Sequence, residues 1–331
     1  MKIVYLFKSL LFFLFLVELL LQSFFFFKVY NNKIISLFYN PYCDQIYWNL
    51  NKGQNFETYF NEEIIYHPLL SLVRKTSKVP NNDDELNDIA VNNNLIFFGS
   101  SFTDHKIFKK KLLKNKINNN NYSLSSYGLD QILLSYQLTS RMHKDKFIIF
   151  GFLMEDLDRV IFDKRNYPKI KFKYQDGIFV KSNTPIVEKQ KKLNIDLYIY
   201  RFIKNFIFLY NNNFDHKQSN CFSDFKKKFF KYYISEIMSI SKKQNQKVIF
   251  ITFNFLNEMK KNKLNWRNKF ILDSLNQNNI ENINTKNIIE IDSKLNNIPI
   301  DKYFNKEDFH YSELGFELVI KEIMKSTGQY R

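Results

Sequence analysis

The chain has 331 residues, enough after an apolar N-terminal stretch for one large domain or two small ones, and 45% of them are apolar. Its formal net charge of +16 suggests an anionic partner, but the lysines are spread along the chain. No zinc-finger spacing, RNA-binding signature or Arg-rich arm accompanies them, so no nucleic acid is expected as a partner.

Residues 3–27 are long and apolar enough to cross a bilayer. Lys8 sits near one end and can snorkel, whereas Glu18 is costly near mid-membrane. No small-residue cleavage site follows Phe27, so the reading is an uncleaved signal-anchor over 1–27. The expectation is a single-pass membrane protein with its main domain extracytoplasmic. Residues 28–94 form a lead-in rich in Tyr and Asn, closed by the polar run Pro80 to Asp88, a predicted loop. Cys43 and Cys221 lie far apart with no metal-site spacing. Two unpaired buried thiols are expected, with a disulfide as the alternative if both lie outside the cytoplasm.

From Leu95 to about residue 328, strands and helices alternate. Strands are predicted at Leu95–Gly99, Tyr122–Leu124, Phe147–Leu153, Lys247–Phe253 and Ile288–Ile291. Helices are predicted at Asp104–Lys116, Leu129–His143, Asp196–Leu209, Phe222–Ser241 and Tyr311–Lys325. Residues 165–187 alternate polar and apolar around Asp176-Gly177, which reads as an inserted β-hairpin. The pattern predicts an α/β fold: a three-layer, flavodoxin-like sandwich around a mainly parallel five-stranded sheet. Such folds hold their sites at the carboxyl ends of strands.

Two stretches can carry chemistry. In LIFFGSSFTDH, a strand, a small-residue turn and a helix start can stand the Ser101 hydroxyl at a sheet end. In KEDFHYSELGF, Glu307 and Asp308 precede His310 just ahead of the last helix, so His310 can act as general base with a carboxylate orienting its ring. Other residues attract blander readings. His105 lies one helical turn after Ser101 and could approach the site, but reads rather as a solvated helix face. His67, His143 and His216 show no paired ligand spacing, so no metal site is predicted. Asp156 reads as structural support for the Ser101 turn, and Asn254 can line a pocket.

These blocks resemble the SGNH (GDSL-type) hydrolase superfamily over roughly residues 90–325. Gly99-Ser100-Ser101 corresponds to its Gly-Asp-Ser turn. Gly128 corresponds to its second-block glycine, Glu155-Asp156 to the Asn-Asp of its third block, and Asp308, His310 and Gly315 to its last block. The resemblance implies that Ser101 attacks an ester carbonyl, His310 takes its proton, and Asp308 holds the imidazole. The N–H groups of Ser101 and Gly128 would form the oxyanion hole, with no metal or cofactor needed. Three positions depart from the family. Ser100 replaces Asp, Glu307 rather than Asp308 sits three residues before His310, and Glu155 stands where the family has an amide donor. The expected function is a membrane-anchored serine esterase acting on an O-acyl carbohydrate or another small ester. The alternatives are an O-acyltransferase with the same triad, or a non-catalytic membrane-tethered binding or assembly protein.

Overall fold

The computed structural model describes residues 2–27, 31–51, 63–80, 94–165, 167–182, 196–260 and 265–329. The predicted loop over 81–88 and the last residues of the predicted hairpin, 183–187, lie outside them. The chain divides into two compact units, one of Met1–Glu57, Asp163–Pro168 and Glu188–Cys221, the other of Thr58–Phe162, Lys169–Val187 and Phe222–Arg331. This division does not follow the predicted boundaries at 27 and 94. Part of the lead-in belongs with the sheet, and residues from the middle of the chain join the N-terminal helix.

The first unit is mainly helical, with one short strand pair, Lys164–Arg165 and Tyr167–Pro168. Its helix Lys2–Phe26 contains the stretch Val4–Phe26, whose 23 residues and mean hydropathy of 2.2 suit a membrane span or a signal sequence alike. Helices Asn32–Phe38, Gln45–Leu50 and Tyr198–Asn211 join it. Phe25, Ile35, Phe38, Tyr39, Tyr47 and Tyr198 form its buried cluster. Cys43 and Cys221 are joined in a disulfide, which corrects the expectation of unpaired thiols. Their sequence separation hid the pairing, because distance along a chain says nothing about proximity once the chain has folded.

The second unit is built on five parallel strands: β1 (Leu95–Gly99), β2 (Asn119–Asn121), β3 (Phe147–Leu153), β4 (Lys247–Phe253) and β5 (Glu281–Asn284). Their spatial order is β2-β1-β3-β4-β5, the flavodoxin-like order, as expected. The sequences LIFF, FIIFGFL and VIFITF are unbroken apolar runs because these strands are covered on both faces. On one face, Leu95, Phe97, Ile149, Ile249 and Ile251 share a core with α2 (Lys106–Lys114), α6 (Thr285–Asn296) and α7 (Glu313–Ser326). On the other, Phe98 and Phe150 pack on Tyr136 of α3 (Leu129–Thr139), and Phe150 and Phe250 on Tyr233 of α4 (Ser223–Lys243). Helix α5 (Trp266–Gln277) packs beside α4. The hairpin Lys171–Gln175/Ile178–Ser182 turns at Asp176-Gly177 as predicted, with Gly177 at φ +85°.

The two outer strands differ from expectation. Strand β2 is Asn119–Asn121, three polar residues earlier than predicted. Tyr122 and Leu124 still donate to the carbonyls of Phe97 and Gly99, at 2.8 and 3.3 Å. Residues 288–291 belong to α6 rather than to a strand, and the last strand is the polar segment Glu281–Asn284. Asn284 caps α6 by accepting the Lys286 N–H at 3.1 Å, and Ile289 packs inward while Ile291 stays exposed. Capping and one-sided burial outweigh the β preference of the isoleucines.

His143 ends the turn after α3 and is fully buried, with Nε2 2.9 Å from Tyr122 Oη and Nδ1 without a partner. Burial, helped by Lys146, pushes its pKa down to about 4. Below pH 6.5 the unfolded chain takes up this proton first, so the stability His143 contributes is full above pH 6.5 and lost as pH falls toward 4. The 2.5-unit gap corresponds to about 3 kcal/mol. In His143→Gln, the loss of unfolding free energy between pH 7 and pH 4 should shrink by about that amount in urea titrations. Comparing variant with wild type separates His143 from Asp156, whose raised pKa acts in the opposite sense. An unchanged difference would refute this assignment.

Candidate active site

The order of the strands reverses between β1 and β3, and the crevice at their carboxyl ends is where this topology holds ligands. Gly99 and Gly151 face each other there, in register on β1 and β3. A Cβ on Gly99 would run into Gly151 O and Thr103 Oγ1, and one on Gly151 into Thr103 Cγ2. The two glycines therefore let Thr103 rest directly on the sheet, which seats the single-turn helix α1 (Ser101–Asp104) over the strand ends. Ser100 donates its N–H to Gly151 O at 3.2 Å, and Thr103 Oγ1 donates back to Ser100 O at 3.0 Å. Ser101 is the first residue of α1 and half-buried; its hydroxyl makes no hydrogen bond with a described residue.

Asp104 fixes the other end of α1. Its Oδ1 accepts from Arg74 Nε and Nη2 at 3.0 and 2.7 Å and from Lys109 Nζ at 2.6 Å. Its Oδ2 accepts from the N–H and hydroxyl of Ser125, both at 3.0 Å. Arg74 belongs to the strand pair Ile64–His67/Ser71–Arg74. Gln131 Nε2 reaches Leu70 O from the same side at 3.0 Å, and the Tyr127 hydroxyl donates to Leu72 O.

The predicted helix over 104–116 is broken at His105, whose ψ of 138° separates α1 from α2. The break turns the imidazole inward, against the expectation of a solvated face. Nδ1 accepts the Ile107 N–H at 3.3 Å, so the ring proton sits on Nε2, which meets Asp308 Oδ2 at 2.9 Å. The His105 side chain is 9% exposed.

His310 stacks on His105, with ring centroids 4.7 Å apart and planes 17° apart, and it also lies 4.7 Å from the Phe102 ring. Its Nδ1 is 3.0 Å from Asp308 O and 3.5 Å from Asp308 Oδ1. A carbonyl only accepts, so Nδ1 carries the proton and Nε2 keeps its lone pair. Nε2 is buried and has no hydrogen-bond partner. Burial, and next the neighbouring His105, pushes the His310 pKa below its ordinary value, which favours the neutral ring. Burial would raise the Asp308 carboxyl, but the bonds from His105 and from the His310 N–H, at 3.1 Å, hold it below the usual range. Glu307 is exposed and its N–H caps onto Asn305 Oδ1, so of the two acidic residues it is Asp308 that contacts the ring.

Gly128 opens α3, but its N–H points at Gln131 Oε1, 3.3 Å away. This corrects its expected place in an oxyanion hole: the donor is already used, in a capping arrangement with the Gln three residues on. Glu155 follows β3 at the start of the turn Met154–Ile161 and is half-buried. Beside it, Asp156 is fully buried and accepts the Leu153 N–H at 2.9 Å. Burial pushes its pKa up to about 6, against the pull of Arg159 and of the Ser100 hydroxyl. The bond from Leu153 ties Asp156 to its own turn at the end of β3. Asn254, at the end of β4, is buried with neither side-chain amide atom hydrogen-bonded, so it is an uncommitted polar group at the carboxyl edge of the sheet.

His105, Asp308 and His310 offer ligand atoms within 4.8 Å of one another, a spacing that could hold a metal ion. The hydrogen bonds argue against that use. Coordination through His105 Nε2 would move its proton to Nδ1, against the Ile107 N–H. A hollow of about 620 Å³ lies at the amino ends of the strands, lined by Phe147, Lys247 and Thr327, at the edge opposite His310.

No protein-family model matches the chain, and no curated protein matches it in sequence. Solved structures align with most of its length, three of them as follows. A lipase/acylhydrolase from Enterococcus faecalis aligns with 71% of this chain and 96% of its own, at 12% identity and a TM-score of 0.36. The acetyl xylan esterase AlAXEase covers 70% and 98%, at 12% identity and 0.38. A protein described as a GDSL-like lipase, from Parabacteroides merdae, covers 73% and 99%, at 10% identity and 0.39. With TM-scores this low, the chemistry has to rest on the side chains of this chain.

Proposed function

We propose that the chain is an ester hydrolase of SGNH type in which Ser101 is the nucleophile, His310 the general base and Asp308 the group that orients it. The observation that carries this is the unspent His310 Nε2, a buried lone pair on a ring whose other nitrogen is committed to Asp308. His310 stacks on His105, the residue that closes the turn opened by Ser101. In the reaction, Ser101 Oγ would attack the ester carbonyl and pass its proton to Nε2. The imidazolium would return that proton to the departing alcohol, and water would then release the acyl group by the same route. The Ser101 N–H, at the first position of α1, is the remaining backbone donor for the oxyanion. Asn254, an uncommitted amide just beyond the end of β4, is the candidate for the amide donor that Glu155 does not supply.

The disulfide and the apolar N-terminal helix favour a retained anchor and an oxidising compartment. In that setting we assign the substrate to O-acylated carbohydrate, with transfer of the acyl group to a sugar hydroxyl as the variant chemistry. One observation favours a non-catalytic reading: the Gly128 N–H is taken.

A fluorophosphonate probe decides between them. The wild-type chain should be labelled, with the adduct at Ser101, and Ser101→Ala should not. Absence of label, under conditions that label a reference serine esterase, would leave the non-catalytic reading standing. Acetylated sugars compared with short aryl esters would then test the alcohol.

His105 should matter through Asp308. His105→Phe keeps a ring to stack on His310 but loses the donor, and His105→Gln keeps a donor. A hydrogen bond to a charged group contributes about 1.5–3 kcal/mol, so kcat should fall about 10- to 100-fold in the Phe variant. The Gln variant should recover part of that, with KM unchanged in both. Equal activity in all three chains would show that Asp308 is held without His105.

A further inference from the structure

The helix Tyr198–Asn211 carries an apolar face that nothing among the described residues of its own unit covers. Tyr198, Asn205 and Leu209 are buried inward, and Asn205 donates to Ser36 O at 2.8 Å. On the outer side, Tyr200, Ile203, Phe206, Ile207 and Tyr210 are 44–69% exposed at helical spacing. Lys204 is the one charged residue exposed on this helix, and its Nζ lies 6.0 Å over the Tyr200 ring. Scattered exposed apolar residues need no explanation, but a continuous stripe marks a surface that is covered in use.

Two observations identify what covers it. The first is a length. Residues Val4–Leu16 of the N-terminal helix are exposed on every side. At 1.5 Å per residue they reach about 20 Å, short of the roughly 30 Å of hydrocarbon in a bilayer. From Val17 onward, one side of that helix packs within the unit, and Phe25 stacks on Tyr198 with ring centroids 4.1 Å apart. A complete span therefore has to include the segment against which the second helix begins. The second observation is Glu18, the one acid in the span. Its carboxylate accepts the N–H groups of Tyr198 and Ile199 at 3.0 and 2.9 Å, and Gln22 Nε2 at 2.7 Å. The charge is thus met by the positive end of the second helix, which is how an acid is tolerated at bilayer depth.

From these we infer that Tyr198–Asn211 is a second membrane element, lying against the first with its Tyr200–Tyr210 face among phospholipid acyl chains. Lys204 reaches toward the headgroups. This rests on reading Val4–Phe26 as a retained span.

The full chain in nanodiscs of phosphatidylcholine and phosphatidylglycerol in equal parts, doped with a phosphatidylcholine bearing a diazirine in its acyl chain, provides the test. After photolysis, lipid adducts mapped by mass spectrometry should fall on Tyr200–Tyr210 as well as on Val4–Phe26. The exposed Met238 of α4 should stay free of them. The double variant Ile203→Glu, Ile207→Glu should lose adducts on this helix several-fold while Val4–Phe26 keeps its own. Label on Val4–Phe26 alone, or cross-links joining this face to a second copy of the chain, would overturn the inference. Absence of label from Val4–Phe26 would overturn the span reading on which it rests.

Discussion

His310→Ala should lower the turnover of an activated ester by about 1,000- to 10,000-fold, with KM little changed, because a general base acts on the transition state far more than on bound substrate. The loss should match that of Ser101→Ala and not add to it in the double variant, since the two groups act as one unit. The pH profile provides a second readout. In the proposed mechanism the neutral ring is the active form, and burial together with His105 pushes the His310 pKa down. The acid limb of kcat/KM should therefore lie below pH 6.5, the ordinary value for a histidine. In Asp308→Asn the orienting carboxylate is gone, and the acid limb should move with it. An acid limb above pH 6.5, or a His310→Ala variant that keeps wild-type turnover, would remove His310 from the mechanism.

Asp158→Asn should be the most damaging single change to folding stability outside the apolar core. Asp158 follows β3 and is 2% exposed. Its Oδ1 accepts from Lys226 Nζ on α4 at 2.7 Å, and its carboxylate pairs with Arg267 Nε on α5 at 2.7 Å. Lys226 is fully buried and Arg267 2% exposed, so the carboxylate of Asp158 contacts two buried cations. Removing one partner of a buried pair costs about 3–5 kcal/mol, because the charge left behind stays desolvated. Here two buried cations lose this carboxylate as a partner, and a loss within that range is expected in urea unfolding. The comparison that separates pairing from packing is the triple replacement Asp158→Leu, Lys226→Met, Arg267→Leu, which should recover most of the loss. A single variant costing under about 1 kcal/mol would mean that water reaches the cations.

What the sequence revealed follows from what each strand must bury. β1, β3 and β4 are covered on both faces, so their apolar runs are unbroken and their limits could be read from composition alone. β2 and β5 lie at the sheet edges, where NNN and ENIN carry little apolar signal. Their positions depend on which strand each one pairs with, and that is tertiary information. In the candidate site, Ser101, Asp308 and His310 were singled out by residue type and order. The contact of Asp308 with the ring could not be told from one by Glu307, which has the same charge one residue away. It depends on a turn in which Phe309 adopts a φ of +61° and Asp308 folds back onto the His310 N–H. His105 was missed because a Lys-rich stretch reads as one continuous helix. The Gly128 donor was over-read, although Gln131 three residues on is a capping signal that the sequence itself contains.

The salt links of Asp104 bear on where this protein can be cut. A fragment beginning at Leu95 would keep the whole five-stranded sheet, together with Ser101 and His310, and would look like a complete catalytic domain by alignment. It would nevertheless lack Arg74, leaving Asp104 with Lys109 and Ser125 as its remaining partners. The acceptors that the short strand pair offers to Tyr127 and Gln131 would go with it. The turn bearing the serine would lose its outer brace while the core below stayed folded, giving a soluble fragment with a loosened site. A minimal expression product therefore has to start upstream of Ile64. An inactive shorter fragment would be evidence about its boundary rather than about its chemistry.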